Sequence, residues 1–128
     1  MSPDVTTERW SPPLPPEEGL PYEEKFPIGE DAHYIQSIGY DERGQVAEWA
    51  VIQMRRVEGG WQRVAVYDAH PPEKGLHVHL YGRNDKEFAE EPLRDVNSYN
   101  DFVAGLDYAL QRVSEAWREN ERRSDRGY

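Results

Sequence analysis

The chain contains no cysteine. That excludes disulfides and thiolate-ligated zinc sites. It has no apolar run approaching the roughly 20 residues that a membrane-spanning helix needs. Its N-terminus lacks the basic patch and apolar core of a secretory signal. A cytoplasmic protein that engages no membrane is the expectation. No serine is set between glycines as in a nucleophile elbow, and no glycine-rich phosphate loop precedes a helix, so serine-type covalent catalysis and P-loop chemistry are set aside. Lysine is scarce: twelve of the fifteen basic residues are arginine, which suits bidentate contacts to phosphate or carboxylate. Histidine is scarce too, with four residues in 128.

Acid is abundant. The formal net charge is −10, and it is unevenly spread. Residues 1–32 carry eight acidic and two basic side chains, whereas residues 33–128 carry seventeen and thirteen. Such a balance disfavours tight nonspecific binding of nucleic acid, which depends on neutralising phosphates. The length allows one domain with a modest core.

Residues 1–32 also hold seven of the ten prolines. Proline removes backbone donors and biases its predecessor toward extended conformations. This segment therefore reads as an extended or disordered acidic leader, with Trp10, Leu14, Leu20, Tyr22 and Phe26 as candidate anchors on a partner or on the domain itself. Strands are expected over 33–40, 46–56, 61–68 and 76–83, joined by turns at Asp41–Gly44 and Glu58–Gly60 and by the loop Pro71–Gly75. The stretch 84–97 is polar, with Pro92 inside it, and reads as irregular. Ser98, with Asp101 three residues on, resembles a capping box. Phe102, Val103, Leu106, Leu110, Val113 and Trp117 then recur at helical spacing, so an amphipathic helix is expected to run to about Glu121, with residues 122–128 fraying. The fold class is α+β: a four-stranded antiparallel meander with one C-terminal helix on one face, its domain spanning 33–121.

One face of that sheet is expected to meet the helix through Ala50, Ile52, Met54, Val64, Val66, Val78 and Leu80. The other is expected to hold Trp49, Gln53, Arg55, Trp61, Arg63, Tyr67, His77, His79, Tyr81 and Arg83. A single helix cannot cover both sides. The second face is then open, dimerised, or covered by the leader. Aromatics among arginines and histidines suit a base-stacking, phosphate-holding surface, a protein interface, or cross-strand packing.

The chemistry concentrates in Tyr67-Asp68-Ala69-His70 and His77-Val78-His79-Leu80-Tyr81, fifteen residues holding three of the four histidines. Strand alternation puts His77 and His79 on one face. Two histidines, one neutral and one protonated, could serve as base and acid in metal-free RNA cleavage. In that reading His77, His79, His70 and Tyr67 are catalytic, and Arg63, Arg83, Tyr81, Arg55, Trp49 and Trp61 hold the substrate. His-x-His also offers two metal ligands, which His70 or Asp68 could complete. Because His70 lies past the expected strand end, only the loop decides whether it reaches His77. The reading taken forward has no metal and no cofactor.

These motifs, with the proline-containing linker and terminal helix, resemble the small TumE-like toxins of bacterial toxin–antitoxin pairs over about Val46 to Trp117. The resemblance implies a cytoplasmic growth inhibitor neutralised by a partner. The competing expectation is a non-enzymatic interaction module, antitoxin- or inhibitor-like, that uses the aromatic face and acidic leader. A protein partner or homodimer through the open face is expected, with RNA or a nucleotide as the other candidate.

Overall fold

A computed structural model describes residues 10–13, 21–70 and 75–127. Six antiparallel strands pair in chain order: β1 (Tyr22–Gly29), β2 (Ala32–Tyr40), β3 (Val46–Val57), β4 (Gly60–His70), β5 (Gly75–Tyr81) and β6 (Glu87–Arg94). One helix, α1 (Tyr99–Arg126), packs across β3, β4 and β5. The α+β meander with a C-terminal helix matches the sequence expectation. The strand count does not, being six rather than four.

Both additional strands lie at sheet edges. β1 falls inside the segment read as leader and carries Pro27. β6 falls inside the stretch read as irregular and carries Pro92. Proline cannot donate to a ladder, but an edge strand needs only half of its donors paired. The register shifts near both prolines, between Pro27 and Gly29 on β1 and between Leu76 and His77 opposite β6. Among the candidate anchors, Phe26 stacks on Tyr34 at 5.1 Å between ring centroids, and Trp10 packs against Tyr99 and Phe102. Leu14 and Leu20 lie outside the described residues, as does most of the Pro71–Gly75 loop.

Ser98 caps α1, its hydroxyl accepting from the Asp101 N–H at 3.1 Å, and Gly127 ends it in the left-handed region. The helix therefore passes Glu121 and takes in residues expected to fray. Its buried side is Phe102, Gly105, Leu106, Ala109, Val113, Asn120 and Ser124. Among the described residues no helix is long and apolar enough to cross a membrane.

The expected faces are corrected in β3 and β4. Trp49, Gln53, Arg55 and Tyr67 lie under the helix. The Trp49 indole N–H donates to the Phe102 carbonyl and the Gln53 amide to the Trp117 carbonyl, each at 2.9 Å. The Asn120 amide donates to Gln53 Oε1 at 3.0 Å and to the Tyr67 hydroxyl at 2.9 Å. Arg55 donates to Asp125 Oδ1 at 2.7 Å and to Ser124 Oγ at 2.9 Å. These polar groups are buried because each finds a partner on α1. Ala50, Ile52 and Met54, with Val66, face the other way and are half-buried. A bulge helps hide the pattern: Gln53 pairs with Ala65 but Met54 with Arg63, so Val64 is an extra residue and alternation reverses across it. In β5 the expectation agrees with the structure, with Val78 and Leu80 toward the helix and His77 and His79 on the open face.

Candidate metal centre on the open sheet face

Strand register assembles the site. Asp68 on β4 is opposite His77 on β5, and Glu90 on β6 is opposite His79. Cross-strand partners share a face, so the four side chains project from the same side of the sheet. β4 continues to His70, which pairs with Gly75, and this places His70 beside the cluster.

Three donor atoms converge there. His77 Nε2 lies 2.9 Å from His79 Nε2 and 2.9 Å from Asp68 Oδ1, and His79 Nε2 lies 3.3 Å from the same oxygen. His77 Nδ1 sits 3.1 Å from the Gly75 carbonyl. A carbonyl only accepts, so that contact places a proton on Nδ1 and turns Nε2, the nitrogen left to ligate a metal, toward the cluster. Gly75 holds φ at +63°, and a Cβ there would come within 2.4 Å of the Arg94 carbonyl oxygen. The start of β5 therefore requires glycine. Glu87 Oε1 lies 2.5 Å from His79 Nδ1 but outside hydrogen-bond geometry. Glu90 Oε1 is 3.5 Å from His77 Nε2, and His70 Nε2 is 3.4 Å from Asp68 Oδ2. His77 is buried, Asp68 and His79 are largely buried, and His70 stands at the mouth.

Asp68 Oδ1 is a buried oxygen with no hydrogen bond of good geometry, although two imidazole nitrogens lie within reach. Leaving such an oxygen unsatisfied costs about 1–3 kcal/mol or more. Bonds of about 2.0–2.1 Å give adjacent donors of an octahedral or tetrahedral centre separations of about 2.8–3.4 Å. The three observed edges, 2.9, 2.9 and 3.3 Å, fall within that range.

The profile of the family described as Domain of unknown function (DUF7718) matches residues 23–127. The chain belongs to this family. No curated protein and no solved structure matches it.

In this DUF7718 domain the residues singled out in the sequence divide into two groups. His77, His79, His70, Arg63 and Tyr81 share the open face, and Trp61 lies on the same side, its ring 4.3 Å from that of His33. Tyr67 and Arg55 are under α1 and cannot touch a ligand on the histidine side, whereas Trp49, also under α1, lines a cavity that Asp68 and His70 share. Arg83 turns to the helix end, where its Nε donates to Asp125 Oδ1 at 3.0 Å. Arg63 stays near the histidines but is committed to Asp85 at 3.2 and 3.3 Å and lies over the Tyr81 ring at 4.3 Å. The Asp85 hydrogen bond holds its guanidinium charge more firmly still. The Tyr81 hydroxyl is pushed up, by burial first, with Glu87, Asp68 and Asp85 adding to the rise against Arg63. The charged side chains against the two imidazoles themselves are the carboxylates of Asp68, Glu87 and Glu90.

Sequence reasoning named Asp68 only as an alternative ligand and missed Glu87 and Glu90. Their Glu87-x-x-Glu90 spacing would put them on opposite faces of a regular strand, and only the register shift opposite Leu80 and Tyr81, which leaves Phe88 extra, brings both to the histidine side.

Proposed function

We propose that the DUF7718 domain is a metalloprotein domain that holds one divalent first-row transition metal ion through His77 Nε2, His79 Nε2 and Asp68 Oδ1. The observation that carries this reading is the convergence of three atoms able to ligate a metal at 2.9–3.3 Å, one of them an otherwise unsatisfied buried carboxylate oxygen. Two imidazoles and a carboxylate suit zinc or ferrous iron better than calcium or magnesium, which prefer all-oxygen sites. Three protein donors leave coordination positions for water and substrate, the arrangement of catalytic rather than structural centres. The Gly75 carbonyl orients the His77 ring as an outer-shell partner does, and Glu87 adds negative charge beside His79. The ion, when bound, would supply Lewis acidity or redox chemistry at the mouth beside His70.

The metal-free ribonuclease reading draws less support. Asp68, Glu87 and Glu90 surround the two imidazoles, while Arg83 points elsewhere and Arg63 is paired. A phosphate would meet more repulsion than attraction there, whereas a cation meets the reverse.

The test strips the full chain with a chelator, titrates it with Zn2+ and with Co2+, and reads stoichiometry by elemental analysis and Co2+ coordination by visible absorption. One ion per chain is expected. Asp68→Ala and His77→Ala should each weaken binding by more than the roughly 10–100-fold that losing an outer-shell partner costs, and Glu87→Gln should fall within that range. Substoichiometric binding, or affinity untouched by Asp68→Ala and His77→Ala, would refute the proposal.

A further inference from the structure

The row of paired residues that carries Asp68 and His77 continues across the sheet to Ala50 on β3 and Ser37 on β2. Neighbouring strands lie about 4.8 Å apart, so Ala50 begins one strand spacing, and Ser37 two, from the metal donor Asp68. A cavity of about 400 Å3 stands over them. Asp68 and His70 form its wall on the metal side, Pro12 and Pro13 of the N-terminal segment close another, and Trp49 and Phe102 reach it from the helix side as its aromatic wall. That segment is held in place by Trp10 against Tyr99 and Phe102. The volume lies within the roughly 300–1,000 Å3 of small-molecule sites. The charged groups in its wall are Glu48 and Asp68, with His70 the one basic side chain, so an anionic ligand is disfavoured.

We infer that this cavity is the substrate pocket of the metal centre, and that it takes a small uncharged molecule with an apolar body over Ser37 and Ala50 and a metal-seeking polar end toward Asp68 and His70. The inference rests on the metal reading above. Its physical content is that apolar surface on the ligand adds affinity only where it enters the cavity and leaves water.

Two uncharged hydroxamic acids test it on the Zn2+-loaded full chain by calorimetry. Acetohydroxamic acid offers the chelating group with a methyl, and benzohydroxamic acid offers the same group with a ring. Benzohydroxamic acid should bind about tenfold tighter or better, from apolar surface removed from water. Ser37→Phe and Ala50→Leu, made separately, fill the floor from two strands. Each should erase that preference while leaving Zn2+ stoichiometry and acetohydroxamic acid affinity unchanged. Equal affinity of the two acids for the wild-type chain would overturn the pocket and leave the metal centre standing. Persistence of the tenfold preference in both variants would overturn it as well. Failure to retain Zn2+ would bring down the metal reading and this inference with it.

Discussion

At the scale of single residues, the buried polar side chains that face α1 each meet a partner there, whereas Asp68 Oδ1 on the open face lacks a hydrogen bond. Tyr67, Gln53 and Asn120 form one closed set beneath α1, and burial is the main reason that the Tyr67 hydroxyl is pushed up, against the opposing Asn120 hydrogen bond. His33 differs. It is buried on the open face with its ring edge-on to Trp61, and burial first, then the charge of Lys25, pushes its pKa below the ordinary value. The folded chain therefore resists a proton that the unfolded chain accepts at about pH 6.5. The unfolded state binds more protons in that window, so stability is greatest above it and declines as pH falls through about 6.5 toward the folded value. A thermal melt series from pH 8 to pH 5 should show this decline. His33→Phe, which keeps the ring contact and removes the titration, should flatten it. A variant with the same acid sensitivity as the wild type would show that other groups cause the loss.

At the scale of elements, the helix shows what sequence reveals and what it conceals. Its start was legible because Ser98 and the Phe102–Trp117 stripe obey rules of capping and period that are local to the chain. Its end was not, because the buried side continues through Asn120 and Ser124, which carry no hydrophobic signal and are buried only because Gln53, Tyr67 and Arg55 meet them from the sheet. The last turn is a docking element. Arg123 donates to Glu91 on β6 at 2.8 and 3.0 Å, a half-buried pair still open enough to solvent to be worth only about 1 kcal/mol. Asp125 takes the charge of the buried Arg55 and also binds Arg83. Truncation after Glu121 should therefore cost on the order of 3 kcal/mol, because it leaves Arg55 buried without its carboxylate. Urea denaturation of the truncated chain measures this. A midpoint equal to that of the full chain would mean that the last turn frays and contributes nothing.

At the scale of the molecule, the candidate site was half legible. His77 and His79 announce themselves by spacing alone, whereas Asp68, Glu87 and Glu90 join them only through the registers of β4–β5 and β5–β6, which no local pattern encodes. The two missed strands were obscured for a related reason: edge strands of an open meander are selected to look unlike strands. β1 carries Glu23, Glu24, Lys25 and Pro27, and β6 carries Glu87, Glu90, Glu91 and Pro92. Charge and proline on an edge block pairing with a further chain. β2, directly inside β1, lacks that protection, with Tyr34, Ile35 and Ile38 along its length. Removing residues 1–31 would then do more than trim a tail. It would expose β2's backbone donors and acceptors, together with Tyr34, which has lost its stack on Phe26. Light scattering on a size-exclusion column should find the chain lacking 1–31 associating as its concentration rises, while the chain lacking only residues 1–20 keeps the oligomeric state of the full protein. If both truncations behave as the full chain does, β1 is dispensable as an edge, and the protection must come from the net charge of the whole molecule.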